Sequence, residues 1–341
     1  MRLLIVGLDG LDHRLVRMWN LWPRGALSEM RPTDACTTPI EWTCMATGLP
    51  PEKHGIVGMR APGGRLWEHT DVVPGARAFW RIFERLDYRV GIIGWPVLTN
   101  PAHEVKGWMI GGYSVVPPTC WPLGLFDVGG VKPHWDENSW QEAGHPNPML
   151  VWPPGAGDPL QAELDERAES MQAMSLATVD RAYGTLRALQ RHDPVDVAVL
   201  YTHATDLPGH YLYCDRYRGM LRQVYRRALT WLDGLIDELK PEAWLVVSDH
   251  GMQRYRPWNN GRVPDAQPSH DGEHLQLRRL RMKDGRTQYA GATHGPYPAV
   301  PMGVAAASKP LPQRVHVTDV FDIALRLGMT PEDRLRSWGY E

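Results

Sequence analysis

The sequence predicts an α/β protein: a mostly parallel central sheet with helices on both faces and a small Trp/Pro-rich cap insertion. Two observations predict the sheet, and a third predicts where chemistry sits. Short apolar runs containing β-branched residues, each bounded by turn residues, recur along the chain and read as buried strands. Between them lie longer segments with apolar residues at three- and four-residue spacing, and strands alternating with helices build sheets covered on both sides. Acidic residues and histidines follow directly after several apolar runs, where ligands bind in such sheets.

The first strand is Leu3 to Leu8, within MRLLIVGLDG; this short run leads straight into a polar turn without a small-residue cleavage site, so it is not a signal peptide. CTTPIEWTCMATG, Cys36 to Gly48, reads as a helix start, because Thr38, Pro39 and Glu41 match a Ser/Thr-x-x-Glu capping box with proline where it is tolerated. A hydroxyl at a helix N-terminus also lies where unpaired N–H groups and the helix dipole favour a phosphate or sulfate. This stretch alone leaves both readings of Thr38 open. A helix over Ala76 to Arg85 and a strand over Val90 to Gly94 follow.

Residues 95–158 carry many of the 15 tryptophans and 30 prolines, with weak periodicity, and are expected to form the cap insertion. A helix from about Leu160 to Arg191, a strand over Val195 to Tyr201, a helix over Tyr217 to Leu239 and a strand over Ala243 to Val247 come next. In the second of these helices Leu221, Val224, Ala228, Leu232 and Leu235 keep an apolar stripe. Residues 253–291 are polar and weakly patterned, and read as a second loop insertion. No internal repeat occurs, and 341 residues suit one large domain with insertions or two ordinary ones.

The 37 basic and 39 acidic residues give a net charge of -2, so no global field recruits a nucleic-acid duplex or an anionic membrane. No stretch approaches the roughly eighteen apolar residues of a membrane span. Cys36, Cys44, Cys120 and Cys214 are widely spaced without a C-x-x-C pair, which argues against disulfides and thiolate metal sites and fits a cytoplasmic protein.

The strand ends carry Asp9, then Asp206 and His210 in THATDLPGH, Asp249 and His250 in VVSDHG, and late in the chain His294 in GATHGP. Taken singly, Asp9 can close a turn and His294 can be a surface histidine. Two adjacent ligand-type residues in SDHG are harder to explain by packing. Carboxylate oxygen with imidazole nitrogen and no thiolate suits zinc or manganese, and six such residues can hold two ions.

The order strand-Asp, Thr before a helix ending in TG, HGI, Asp-x-x-x-His, SDHG and a late His resembles the alkaline phosphatase superfamily, specifically its type I phosphodiesterase and nucleotide pyrophosphatase branch. TPIEWTCMATGLPPEKHGI is similar to that branch's segment of nucleophile, helix and TG-x-x-P-x-x-HGI. The resemblance implies a single catalytic domain of alkaline phosphatase-like fold over residues 1–341 and two divalent metal ions, Zn2+ first and Mn2+ as the alternative. One ion would be held by Asp206, His210 and His294, the other by Asp9, Asp249 and His250, with Thr38 Oγ near the second. Counting back from Thr47-Gly48 puts Thr38, not Thr37, at the family's nucleophile position. The implied reaction is a double displacement through a threonyl-phosphate, and the implied substrate is a small phosphorylated molecule, with nucleotides among the candidates.

Three positions depart from the pattern. Nucleotide pyrophosphatases place an asparagine shortly after HGI, where this chain has Val57, Gly58 and Met59, and methionine cannot donate that hydrogen bond. Pro39 has no N–H to offer a phosphoryl oxygen, so a donor is expected later in the helical turn. Glu41 puts an acid beside the anion site, where a capping contact to the Thr38 backbone is the simplest reading. His54, in KHGI, is expected to be structural. The leading function is a metal-dependent phosphodiesterase or nucleotide pyrophosphatase; the alternatives are a phosphomonoesterase and, from a different class, a binding protein that has lost catalysis. A sulfatase is disfavoured because no C/S-x-P-x-R motif occurs.

Overall fold

The computed structural model describes residues 1–112, 117–133, 151–152, 159–254, 278–281, 287–290, 292–293 and 302–337. Its centre is a nine-stranded sheet in the spatial order Arg314–His316, Ser28–Arg31, Gly303–Ala307, Ala243–Val247, Leu3–Leu8, Val197–Thr202, Val90–Ile93, Gly107–Ile110 and Cys120–Trp121. All strands run in one direction except Gly303–Ala307 and Cys120–Trp121. The mostly parallel sheet expected from the sequence is therefore present.

Every residue of Leu3–Leu8 is buried, and alternate side chains divide between two cores. Leu4, Val6 and Leu8 pack on one face with the helices Gln161–His192 and Arg218–Leu239; Leu3 and Ile5 pack on the other with Thr38–Thr47, Phe79–Arg85 and Asp319–Gly328. The period-two alternation of a strand puts successive side chains on opposite faces, which is why a continuous apolar run, not an alternating one, marks a strand covered on both sides. Each fully buried aliphatic side chain contributes roughly 2 kcal/mol of transfer free energy. In Arg218–Leu239 the stripe Leu221, Val224, Ala228, Leu232 and Leu235 is buried as expected.

Part of the expected insertion belongs to the core. Trp95 and Trp108 are fully buried, and Gly107–Ile110 is a strand of the main sheet, so residues 95–112 are scaffold whose tryptophans fill space between sheet and helices. Residues 134–150 and 255–277 lie outside the described residues. Within the second expected excursion, Arg278–Arg281 and Thr287–Ala290 pair in a small sheet with Val151–Trp152. No described helix is long and apolar enough to cross a membrane.

Candidate active site

Leu3–Leu8, Val197–Thr202 and Ala243–Val247 are adjacent and parallel, with Gly7 level with both Tyr201 and Val247. Asp9 and Asp249 each lie two residues past that level and so emerge together at the carboxyl edge of the sheet. Asp206 opens the helix Asp206–Leu212 just after the strand Val197–Thr202, and His210 follows one turn later on the same face. The chain turns sharply after Asp9. Gly10 has φ +68°, and a Cβ there would lie 2.8 Å from the Asp206 Cα, so glycine lets the two segments touch. Ser248 ties the neighbouring turns: its Oγ accepts from the Leu11 N–H at 2.8 Å and donates to the His250 carbonyl at 2.9 Å.

Partners orient the carboxylates and the buried imidazole. Trp42 Nε1 and the Tyr201 hydroxyl both donate to Asp9 Oδ2, at 3.2 and 2.6 Å, and Asp9 Oδ1 accepts no hydrogen bond among the described residues. Asp249 Oδ1 accepts from the Gly10 N–H at 3.2 Å, and its buried Oδ2 likewise accepts none. His250 Nδ1 lies 3.0 Å from the Gly251 carbonyl; a carbonyl only accepts, so Nδ1 carries the proton and Nε2 presents its lone pair. That Nε2 is 3.3 Å from Asp249 Oδ2, 3.4 Å from Asp9 Oδ1 and 4.0 Å from Asp206 Oδ1. His210 Nε2 is 3.4 Å from Asp206 Oδ1.

The electrostatics demand a counter-charge. Burial first, and then the charges of Asp249 and Asp206, push the Asp9 carboxyl well above its usual range; burial followed by Asp206 does the same to Asp249. Burial lowers His250 to about 4, so its imidazole is neutral at pH 7. Ligand atoms of Asp9, Asp206 and His250 all lie within 4.8 Å of one another. Asp9 and Asp249 oxygens without donors, facing a neutral imidazole lone pair, are ligand types that a divalent cation accepts, and the cluster of Asp9, Asp206 and His250 could hold such an ion.

Thr38 begins the helix Thr38–Thr47 and is half-buried. It lies one turn before Trp42, the residue that donates to Asp9, so both occupy the same helix face. The capping expectation is corrected: the N-cap is Thr37, without a side-chain cap bond, and Thr38 is the first helical residue. Glu41 does not return to the Thr38 backbone. Its carboxylate reaches further, accepting from the Thr33 N–H at 2.9 Å and from the Thr33 hydroxyl. The expected donor later in the turn is also corrected, since the N–H groups of Ile40 and Glu41 both donate to the Thr37 carbonyl. The Thr38 N–H has no acceptor among the described residues.

The structure thus brings together Asp9, Asp206, His210, Asp249 and His250, and sets Thr38 on the adjoining helix; His294 lies outside the described residues. Trp42 and Tyr201, which hold Asp9, have no recognisable signal in the sequence, because each looks like an ordinary core aromatic. Trp42 reaches Asp9 across a gap left by Gly7, where a Cβ would stand 2.4 Å from the indole ring. His54 is structural: Nδ1 accepts the Ile56 N–H at 3.1 Å, so Nε2 carries the proton, 3.3 Å from Cys44 Sγ.

Comparison with known proteins gives the family and the fold. The family model described as type I phosphodiesterase / nucleotide pyrophosphatase matches residues 3–295. Among solved structures, murine ectonucleotide pyrophosphatase/phosphodiesterase 5 is similar with a TM-score of 0.51 and 14% identity, over 97% of this chain and 96% of that one. Phosphonoacetate hydrolase from Sinorhizobium meliloti 1021, in complex with phosphonoacetate, is similar with a TM-score of 0.54 and 14% identity, over 96% of each chain. At such identities the likeness shows the fold, which is alkaline phosphatase-like. No curated protein is significantly similar in sequence. The family match and the fold make this chain a phosphodiesterase/pyrophosphatase-type hydrolase of the alkaline phosphatase superfamily, and it belongs to the type I phosphodiesterase / nucleotide pyrophosphatase family.

Proposed function

We propose that the protein hydrolyses phosphodiester or phosphoanhydride bonds of a small phosphorylated substrate, nucleotides included, through a covalent threonyl-phosphate at Thr38. Two divalent cations, zinc in the first instance, would be held by Asp9, Asp206, His210, Asp249 and His250, with His294 as the sixth protein ligand. The observation that carries the reading is the convergence of Asp9 Oδ1, Asp206 Oδ1 and His250 Nε2 at the carboxyl ends of adjacent parallel strands.

Bound divalent ions neutralise phosphoryl charge and make a hydroxyl ionisable near neutral pH. The protein supplies the geometry. Trp42 and Tyr201 hold Asp9 with Oδ1 turned to the centre, and the Gly251 carbonyl fixes the His250 tautomer. Thr38 Oγ gives its proton to solvent and attacks phosphorus in line, the bond to the leaving oxygen breaks, and a phosphothreonine ester forms. Water then attacks the same phosphorus, the Thr38 Oγ–P bond breaks, and the hydroxyl regains a proton. Because Pro39 lacks an N–H, the Thr38 amide is the donor available to a phosphoryl oxygen. Positioning and charge stabilisation of this kind account for most of phosphoryl-transfer catalysis.

The test is the ratio of kcat/KM on bis-p-nitrophenyl phosphate to that on p-nitrophenyl phosphate for the zinc-loaded protein, with Thr38→Ala as control. A ratio well above one, with both activities lost in the variant, supports the diesterase. A ratio well below one makes it a monoesterase, and inactivity on both esters with zinc bound overturns the assignment.

A further inference from the structure

A cavity of about 840 Å³ opens beside the helix Phe79–Arg85 and shares no wall residue with the acidic cluster. Among the described residues, Arg77, Arg81, Arg85 and Lys106 contribute four cations to its wall, and Glu84 is the one carboxylate there. That carboxylate is already committed: Oε2 accepts from Arg81 at 2.7 Å and Oε1 from the Lys106 N–H at 2.7 Å. Lys106 Nζ pairs with Asp87 outside the cavity wall, at 2.5 Å. Arg77 and Arg85 have no ion pair among the described residues, so two positive charges stand uncompensated in a chain whose net charge is -2.

Two histidines complete the wall. The rings of His69 and His103 stack with centroids 4.2 Å apart and planes 29° from parallel. His69 Nδ1 lies 3.1 Å from the Asn100 carbonyl and His103 Nδ1 3.2 Å from the Pro101 carbonyl, so each Nδ1 carries the proton. Each Nε2 then presents a lone pair, so the rings report on an anion bound beside them and do not donate to it. Burial, and then the neighbouring His69 and Arg81 charges, hold His103 down to about 4, against a backbone contact with Pro101 that acts the other way.

We propose that this cavity binds a small phosphate-bearing polyanion, with diphosphate as the simplest member of the class, between the guanidinium groups of Arg77 and Arg85 and beside the stacked rings of His69 and His103. Planar guanidinium groups match phosphate oxygens bidentately, and two uncompensated ones match two negative charges. The volume is that of a small-molecule site rather than of a single ion. Being separate from the metal-ligating cluster, the site is one for an effector and not for the scissile substrate.

The experiment titrates non-hydrolysable methylenediphosphonate into the zinc-loaded protein and follows the histidine ring protons by NMR, with His69→Asn and His103→Asn used to assign the two signals. The expected result is a saturable shift of both. In an Arg77→Gln/Arg85→Gln variant the midpoint rises about tenfold or more, while cleavage of bis-p-nitrophenyl phosphate without the ligand stays at the wild-type rate, since both arginines are exposed. Absence of a saturable shift overturns the proposal, and so does a midpoint unchanged in the double variant.

Discussion

Glu41, fully buried in the first turn of its helix, accepts the Thr33 N–H on Oε2 at 2.9 Å and so ties the helix to a segment eight residues earlier. Burial pushes this carboxyl up, against Thr33 and the backbone of Cys36 and Thr37, which favour its charged form. One side chain therefore gathers the loop that delivers the chain into Thr38. Glu41→Gln replaces an all-acceptor carboxylate by an amide whose NH2 faces N–H donors. The variant is expected to lose roughly 1–3 kcal/mol of stability and to show a lower kcat with bound zinc retained. Thermal melts, steady-state kinetics and metal analysis check this; wild-type kcat in a folded variant would contradict it.

Thr37 and Thr38 are adjacent hydroxyls with different surroundings. Thr37 Oγ1 is buried without a hydrogen-bond partner among the described residues, and Thr38 opens the helix face shared with Trp42. Thr38→Ala should lower kcat by roughly a thousandfold or more. Thr37→Ala should keep most activity and change stability by only about 0.5 kcal/mol. Incorporation of label from a phosphate ester into the quenched wild-type enzyme, absent in Thr38→Ala, would separate nucleophile from bystander.

Trp42→Phe keeps an aromatic ring over Gly7 but removes the indole donor to Asp9, leaving Tyr201 as the partner of Oδ2. Loss of such an orienting bond typically lowers metal affinity about 10- to 100-fold. Competition with a chromophoric chelator measures it. Unchanged affinity would mean that Tyr201 suffices.

Stripping the metal should destabilise the protein at pH 7, because burial and mutual repulsion leave Asp9 and Asp249 without a counter-charge. Restoring ion at a thousandfold excess over Kd should raise stability by about 4 kcal/mol. Asp249→Asn is expected to melt higher than wild type in chelator and to respond less to added zinc. A differential scan with and without metal distinguishes these outcomes.

Acid should act through His54. Burial lowers this imidazole to about 4, against a usual value near 6.5. Between those values the unfolded chain binds more protons than the folded one, so the His54 contribution is complete above about 6.5 and is lost as pH falls toward 4, up to about 3 kcal/mol. The Asn variant His54→Asn, which keeps an acceptor for the Ile56 N–H, should show a flatter pH dependence of its urea midpoint over this range.

Much of the candidate site's placement was legible because metal-ligand chemistry constrains residue type and the parallel sheet constrains position. Packing gives a buried apolar strand no reason to end in Asp or Asp-His, whereas a cation at the sheet's carboxyl edge does, and Asp9, Asp206, His210, Asp249 and His250 do converge there. Gly303–Ala307 was not legible. GVAAA carries little strand propensity, and it forms a strand because it is enclosed between Ala243–Val247 and Ser28–Arg31. The tryptophans of residues 95–112 misled in the opposite direction, since dense Trp and Pro obscure the period that marks a strand.

By itself the sequence determined the layered α/β architecture and the set of ligand-type residues, because hydrophobic period and donor chemistry are local properties. Only the structure showed that Thr37 and not Thr38 takes the N-cap position, that Glu41 grips Thr33, and that Trp42 and Tyr201 aim Asp9. The contacts to Asp9 join residues far apart in the chain, and it is packing across the sheet that brings them within hydrogen-bonding distance.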